Sequence, residues 1–325
     1  MTRSLFFLFL LGGFAHAGVP QEALRVEAPQ IPSPLPAIAS GEISTEHFRL
    51  VHTPNAKGAA RALSEDIEQF RRSFEHVLGR TWPGLTEVRV GLGREEFEAL
   101  ALPGGKPPSW AIALAYPSHN VMLVEARSLT GANGSATVVH ELAHVALGQL
   151  GDGWPRWFHE GLASYLADAR RFSLSQYATM FRAVQQERIF AFEDLADGWP
   201  THPDEVEVAY AQSEAFVAFL LERHSRDSLG RLFDAVQAKM PFETAFGMAF
   251  STSLALEERA WQKTLPARYS WVPIVTGGTT LWALAAGLCA VGYIRVRAAR
   301  ARKRALLEAE EAAQAEQSFQ DVHPS

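Results

Sequence analysis

The sequence predicts an α+β fold in which a small mixed β-sheet comes first and a helical part follows. Strand-like segments are confined to residues 47–124, and helical spacing dominates from residue 135 onward. Strands followed by helices are typical of α+β proteins, whose sheet and helices occupy separate parts of the chain. With 325 residues, 47% of them hydrophobic, the chain is long enough to bury a sizeable core.

Four strands and two helices are expected in the first part. The last two strands are expected to pair, because Pro117, Ser118 and His119 supply a turn between them. The expected strands lie at 47–52, 87–92, 109–116 and 120–124, and the expected helices at 59–78 and 94–100.

Helices are expected throughout the second part. Ser135 or Thr137 is the expected cap of a helix that runs to about Leu150, where Gly151 ends it. A second helix is expected to begin at Pro155 and to end near residue 169. Further helices are expected at 209–223, 229–238 and 254–265.

The N-terminal residues 1–17 predict a secretory signal peptide. Arg3 precedes an apolar segment, and Ala15 and Ala17 are the small residues expected at a cleavage site after residue 17. An uncleaved N-terminal anchor is the alternative interpretation of this pattern. The proline-containing residues 18–40 are interpreted as a linker to a folded domain at 41–266.

Residues 271–294 predict one transmembrane helix, because they carry no charge and about 20 apolar residues span a bilayer. A buried globular helix is the alternative. A basic cluster at 295–304 follows directly, which favours the membrane and indicates the cytoplasmic side. The sequence therefore predicts a single-pass membrane protein with an extracytoplasmic (periplasmic or extracellular) domain. The cytoplasmic tail, 295–325, is basic and then rich in Ala and Glu.

Charge and cysteine content exclude several kinds of function. The net charge of −6 gives no footprint for nucleic acid binding. The single cysteine, Cys289, lies inside the predicted span, so the predicted exported domain has no disulfide. That domain also contains neither a cysteine nucleophile nor a thiolate metal site.

The motif His140-Glu141-x-x-His144 predicts a zinc site on a helix. Residues four apart share one helix face, so both imidazoles can bind one ion. A catalytic zinc has three protein ligands and an open position for water. Glu141 lies about 100° round the helix from His140 and is expected to act as general base on that water.

The third ligand is not fixed by the motif alone. In one known arrangement, His-Glu-x-x-His-x-x-Gly-x-x-His, a glycine and a third histidine follow the motif. This sequence does not match it, because Leu147 stands at the glycine position and Leu150 at the position of the third histidine. His159 and Glu160 are the remaining candidates, and adjacent residues cannot share one helix face.

Residues 157–165, WFHEGLASY, resemble the Trp-Leu-x-Glu-Gly-x-Ala-x-Tyr segment of the gluzincin zinc metallopeptidases, in particular the peptidase-MA-like group related to aminopeptidase N and thermolysin. The resemblance implies a thermolysin-like fold, Glu160 as third zinc ligand, and His159 beside the site but pointing elsewhere. It also implies that Tyr210 donates its hydroxyl to the oxyanion of the reaction, with a core tyrosine as the alternative. Ser164 stands where thermolysin-like enzymes carry an aspartate that supports a zinc-binding histidine, so that support is unassigned.

These features predict a membrane-anchored, extracytoplasmic zinc peptidase that acts on peptide or protein substrates. The Gly-x-Met-x-Asn segment with which related aminopeptidases hold a free amine is missing, which favours endopeptidase action. The substrate is expected to lie along the last strand before the motif helix.

Two alternatives to a peptidase stay open. The chain can be a membrane-tethered binding or scaffold module whose zinc is not catalytic, or a zinc hydrolase of non-peptide amides or esters. Glu141, which zinc binding does not require, favours an enzyme.

Overall fold

A computed structural model describes residues 35–109, 111–130, 134–167, 174–270 and 278–322. The chain divides into two compact units, with the boundary between Tyr269 and Ser270. The predicted signal peptide and most of the predicted linker, up to residue 34, lie outside the described residues.

The first unit begins with a five-stranded mixed sheet and two helices. The strands are β1 (Gly41–Ser44), β2 (Phe48–His52), β3 (Thr86–Gly91), β4 (Ala113–Tyr116) and β5 (Val121–Glu125). The helices are α1 (Lys57–Leu78) and α2 (Gly93–Ala99). The strand order is β1-β2-β3-β5-β4; the two outer pairs are antiparallel and the two inner pairs are parallel. The predicted small mixed sheet is therefore confirmed.

Alternating side chains divide the sheet between two cores. Met122 and Val124 of β5 belong to the main core, which also takes in the apolar face of α1 and the later helices. Val121 and Leu123 point to the opposite face and belong to a smaller core that includes Phe97 of α2. Because both faces of β5 are covered, its residues read as a continuous apolar segment.

Two strand predictions need correction. β1 is not among the predicted strands, because its four residues, GEIS, are too short for an alternation to stand out. The strand predicted at 109–116 begins only at Ala113, because the backbone N–H of Ala111 bonds back to the carbonyl oxygen of Pro108 in a turn. The predicted turn at 117–119 is a short 3₁₀ helix, and the predicted pairing of the flanking strands is confirmed.

Helices dominate the described remainder of the first unit, as predicted, although those at 174–185, 194–197 and 242–250 are not among the helices predicted individually. They are α3 (Gly134–Leu150), α4 (Arg156–Ala167), α5 (Leu174–Gln185), α6 (Asp194–Asp197), α7 (Pro203–Arg223), α8 (Arg226–Gln237), α9 (Phe242–Phe250) and α10 (Leu254–Arg268). Ser135 and Thr137 lie inside α3, so neither is its cap. The helix predicted from 209 begins six residues earlier, because Pro203 occupies its first position.

The second unit contains one long helix, α11 (Gly278–Val322). Within its segment Trp282–Ala305, a stretch of 18 residues has a mean hydropathy of 1.2, which is long and apolar enough to cross a membrane. Large apolar side chains of this segment are exposed, among them Trp282 and Leu288. Of the predicted span 271–294, residues 278–294 are helical and the remainder lies outside the described residues.

Gly161 allows α4 and α7 to pack in unusually close contact. A Cβ atom at this position would lie 2.5 Å from the carbonyl oxygen of Ser213 and 3.0 Å from Val217. Because a backbone carbonyl cannot rotate out of the way, any side chain here pushes the two helices apart.

We expect Gly161→Ala to lower the free energy of unfolding by about 1–3 kcal/mol, the usual cost of overpacking. Gly58→Ala in α1 is the matched control, since a Cβ atom there meets nothing within 4 Å. Alanine also has the higher helix propensity, so the control is expected to be neutral or slightly stabilising. Denaturant unfolding measures the stability of both variants. Equal stabilities of the Gly161→Ala and Gly58→Ala proteins would show that the packing of α4 on α7 does not depend on this contact.

Glu96 of α2 ties that helix to the end of β2. Its carboxylate accepts hydrogen bonds from the Thr53 hydroxyl, from the Leu92 backbone N–H at 2.7 Å and from the Asn55 side-chain amide at 2.7 Å. These hydrogen bonds, the one from Thr53 above all, lower the pKa of Glu96. A lowered pKa in the folded state stabilises the fold at pH values above the ordinary pKa of glutamate, and acid removes that contribution.

We therefore expect Glu96→Gln to reduce the free energy of unfolding at pH 7 by on the order of 1 kcal/mol, a small value because the group is partly exposed. The difference from the wild type should shrink below about pH 4, where the wild-type carboxylate also becomes protonated. Glu95→Gln is the control, since Glu95 is exposed and has no hydrogen-bond partner in the described part of the chain. A difference that persists unchanged at acid pH would contradict this explanation.

Candidate metal centre

The loop between α3 and α4 is fixed by Trp154, which closes the end of α3. The indole N–H of this buried residue donates to the carbonyl oxygens of Leu147 at 2.9 Å and Gly151 at 2.8 Å. The Leu147 carbonyl also accepts the backbone N–H of Gly151 at 3.1 Å, so the indole reinforces the last turn of α3 and ties it to Gly151. The same ring packs on Phe158 of α4, with 5.5 Å between ring centroids. Trp154 therefore sets the position of α4 relative to α3.

His140, His144 and Glu160 come together between these two helices. The Nε2 atoms of the histidines are 3.1 Å apart, and Glu160 Oε2 lies 3.6 Å from His140 Nε2 and 3.5 Å from His144 Nε2. All three residues are buried, with 4%, 9% and 6% of their surface exposed. The distances from Glu160 Oε2 to the two Nε2 atoms are longer than a normal N–H···O hydrogen bond. The three buried ligand atoms therefore face one common point, and this carboxylate oxygen is not hydrogen-bonded to either histidine.

This triangle fits a single zinc ion. Zinc binds imidazole nitrogen and carboxylate oxygen at 2.0–2.2 Å, and tetrahedral geometry then separates two ligand atoms by about 3.3–3.5 Å. The observed separations, 3.1 to 3.6 Å, bracket that value. Two histidines and one glutamate are also a known ligand set of catalytic zinc. The structure thus brings together the three residues that the sequence predicts as ligands.

Burial and opposite charge act against each other on the ligands. Burial works to raise the pKa of Glu160, but the charge of His144 and contacts with both histidines outweigh it and hold this pKa well below its usual range. Burial works to lower the pKa of His144, but Glu160 outweighs it and raises that pKa. The contact between Glu160 and His144 therefore favours the ionised form of Glu160 with a positive charge beside it, as a cation site requires.

Glu141 follows His140 on α3 and contacts the sheet. Its Oε2 accepts a hydrogen bond from the backbone N–H of Ala115 in β4 at 2.8 Å. Burial raises the pKa of Glu141, the charge of Glu160 adds to this, and His144 and the Ala115 N–H oppose it. The predicted general base thus has one oxygen held by the backbone of β4. A backbone donor leaves no trace in the residue type, so the sequence gives no sign of this contact.

His159 does not point away from the site, which corrects the prediction made from the resemblance. Its Nδ1 lies 2.7 Å from Nδ1 of His144, and the two rings are nearly parallel, 8° apart, with centroids 4.5 Å apart. Burial lowers the pKa of His159 to about 3, and the charge of His144 adds to this effect. His159 therefore touches the ring nitrogen of His144 on the side away from the three facing ligand atoms.

Tyr210, the predicted oxyanion donor, lies in the second turn of α7 and not at its head. Its ring packs edge-on against Trp199, with 5.1 Å between centroids. The guanidinium of Arg156, at the start of α4, stacks on the Trp199 ring, 4.7 Å from the ring centroid. The charge of Arg156 also acts on the pKa of His144 and His159. Tyr210 is thus joined through Trp199 to the helix that carries Glu160.

The strand beside the motif helix is β4, and the predicted substrate strand is therefore wrong. The last strand before the motif helix is β5, which lies between β3 and β4 and has no free edge. β4 ends the sheet, and no strand of the described chain pairs with its outer side. The backbone N–H of Glu125 bonds to Ile112, so by alternation Ala113 and Ala115 turn their N–H and C=O groups outward.

Gly148 brings α3 against the end of β4. A Cβ atom there would lie 2.7 Å from the backbone carbon of Pro117, and Gln149 Nε2 donates to the carbonyl oxygen of Pro117 at 2.7 Å. These contacts hold the edge strand beside the motif helix.

A second cluster of potential ligands, Glu46, His47 and Glu68, lies near the surface. Glu68 already accepts hydrogen bonds from the Thr45 hydroxyl, the His47 backbone N–H and the His47 ring. These bonds attach the turn between β1 and β2 to α1, so the cluster has a structural explanation.

The family model described as Peptidase MA superfamily matches residues 105–267. The match begins before β4 and ends within α10, so it includes the candidate metal centre and the helices around it. No curated protein matches this chain.

Several solved structures are similar to the chain. Yeast LTA4 hydrolase in complex with bestatin has a TM-score of 0.45 and 15% identity, over 72% of this chain and 38% of that chain. Native yeast LTA4 hydrolase has a TM-score of 0.41 and 14% identity, over 74% of this chain and 38% of that chain. A mutant M1 zinc metallopeptidase from Deinococcus radiodurans has a TM-score of 0.36 and 15% identity, over 71% of this chain and 51% of that chain.

The chain thus spans about two fifths of the length of the yeast hydrolase structures. The family match covers half of the chain and confirms the resemblance that residues 157–165 indicate. The chain belongs to the peptidase MA superfamily.

Proposed function

We propose that this protein is a zinc-dependent peptidase whose zinc is held by His140, His144 and Glu160. The observation that carries the proposal is the triangle of three buried ligand atoms, 3.1 to 3.6 Å apart, beside the carboxylate of Glu141. Membership of the peptidase MA superfamily supports the reaction class. A purely structural zinc site would need no acidic group next to its ligands.

When bound, zinc supplies Lewis acidity, which polarises a substrate carbonyl and makes a water nucleophile available at neutral pH. His140 and His144 would hold the zinc through Nε2, and Glu160 would hold it through its carboxylate. Glu141 takes the proton of the attacking water on its carboxylate and later delivers it to the leaving amine. The hydrogen bond from Ala115 to Oε2 orients this carboxylate and leaves Oε1 for the proton transfer.

Tyr210 is the proposed donor to the oxyanion that forms when water attacks the carbonyl. Its packing against Trp199 fixes the ring, and Trp199 in turn contacts Arg156 at the start of the ligand-bearing helix. The positive charge of Arg156 favours negative charge in this part of the site. The Tyr210 hydroxyl and the Arg156 guanidinium would thus both stabilise an oxyanion more than a neutral carbonyl.

The substrate peptide is proposed to add as a further strand to the outer edge of β4. On that edge Ala113 presents its N–H and C=O and Ala115 its C=O, which allows recognition of an extended peptide through its main chain. Since Ala115 N–H also contacts Glu141, a peptide bound there lies beside the general base. Main-chain recognition along an edge does not require a free amine, which agrees with the predicted endopeptidase action.

Anchoring in a membrane by α11 is the proposed localisation. The helix segment Trp282–Ala305 is long and apolar enough to cross a bilayer, and the basic cluster at 295–304 follows the uncharged part. Together with the signal peptide predicted at 1–17, these features support a peptidase domain, 41–266, on the extracytoplasmic side. The tail at 295–325 then lies in the cytoplasm.

We expect the purified protein to bind one zinc ion, and His140→Ala to abolish stoichiometric binding. Loss of a ligand should weaken zinc binding by more than the roughly 10–100-fold that loss of a supporting hydrogen bond causes. His76→Ala on α1 is the matched control, since His76 is exposed and lies outside the described ligand clusters. Metal analysis after dialysis measures the stoichiometry. Equal zinc content in the His140 and His76 variants would contradict the proposed site.

We expect Glu141→Gln to keep zinc and to lose about 10²–10⁴-fold in peptide hydrolysis, because the amide cannot accept the proton. Cleavage of a broad peptide library by wild type and variant, each loaded with zinc, is the measurement. Glu95→Gln, an exposed change of the same kind, should leave cleavage unchanged. Equal cleavage by the wild-type and Glu141 proteins, or no cleavage by either, would refute the peptidase.

A further inference from the structure

His144 contacts a partner with each of its two ring nitrogens. Its Nε2 faces His140 Nε2 at 3.1 Å and Glu160 Oε2 at 3.5 Å. Its Nδ1 lies 2.7 Å from Nδ1 of His159, close enough for a hydrogen bond. One side of the ring is therefore turned to the candidate metal position and the other side to His159.

The chemistry of imidazole fixes the direction of this hydrogen bond. A histidine that binds a metal through Nε2 needs the Nε2 lone pair, so its proton must be on Nδ1. The Nδ1–H of His144 then donates to Nδ1 of His159, which carries its own proton on Nε2. In the opposite arrangement His159 donates, and the proton of His144 sits on Nε2, where it blocks metal binding.

We propose that His159 is a positioning residue of the metal centre: it accepts a hydrogen bond from Nδ1–H of His144 and so holds that ring with Nε2 free to bind zinc. The inference rests on the zinc site of the proposed function, but it does not require peptide hydrolysis. It also supplies a support for a zinc-binding histidine that the sequence leaves unassigned.

The position of His159 on α4 explains why it supports a ligand and does not replace one. It precedes Glu160 by one residue, so their side chains leave the helix about 100° apart. Glu160 faces the Nε2 atoms of both histidines, whereas His159 contacts only the far side of the His144 ring. The Nδ1 atom of His159 lies 2.7 Å from Nδ1 of His144, and the two rings stack nearly parallel, 8° apart.

Two substitutions separate the acceptor from the bulk of the side chain. Asparagine and leucine have the same number and branching of heavy atoms, and the Oδ1 of asparagine sits one bond from Cγ, as Nδ1 does in histidine. His159→Asn therefore keeps an acceptor close to the Nδ1 position, whereas His159→Leu keeps the volume and removes the acceptor. The thermal stability of the metal-free proteins, measured alongside, shows whether either change disturbs the fold.

The measurement is the zinc dissociation constant of the full-length protein in detergent, determined by competition with a chelator of known affinity and without any peptide. Loss of such a supporting hydrogen bond typically weakens metal binding 10–100-fold. We expect that loss for His159→Leu, and a dissociation constant within about threefold of the wild type for His159→Asn.

Three results would overturn the inference. Wild-type affinity in the leucine variant means that His159 supports nothing, and an equal loss in both variants means that the acceptor is irrelevant. A loss as large as that of His140→Ala means that His159 itself binds zinc. Because no peptide is present, these results are independent of whether the protein is a peptidase; absence of zinc binding by the wild type would refute the metal centre and the inference together.

Discussion

A buried carboxylate between two imidazoles is the constraint on which the rest of the structure depends. Placing Glu160 against His140 and His144 removes three polar groups from water, at a cost of several kcal/mol for each ion unless charge compensates it. The opposite shifts in the pKa of Glu160 and His144 show that the arrangement favours a negative charge with a positive one beside it. A divalent cation satisfies this requirement fully, and His159 keeps one of the imidazoles turned toward it.

Packing of the elements that carry the ligands holds this geometry. Gly161 lets α4 contact the backbone of α7, Trp154 joins the end of α3 to α4, and Gly148 brings α3 to the end of β4. Each contact uses either a missing side chain or a large buried one, so small displacements are costly. These contacts hold the edge of the sheet, the carboxylate of Glu141 and the three candidate ligand atoms next to one another.

The sequence predicts those parts of the site that follow from the helical repeat of 3.6 residues or from a short sequence motif. The spacing of His140 and His144 places both on one face of α3, and the segment around Gly161 identifies Glu160; the structure brings all three together. Contacts between distant segments leave no such pattern. The hydrogen bond from Ala115 to Glu141, the pairing of His144 with His159 and the position of β5 inside the sheet all depend on tertiary packing. Short elements such as β1 were missed because four residues carry no clear alternation.

Anomalous diffraction at the zinc edge, from crystals grown with zinc, locates the metal. We expect one strong peak about 2.0–2.2 Å from His140 Nε2, His144 Nε2 and a carboxylate oxygen of Glu160. His159 should lie outside bonding distance of the metal, with its Nδ1 still in contact with His144. A peak bound by His159, a peak at Glu46, His47 and Glu68 alone, or no peak at all would contradict this expectation.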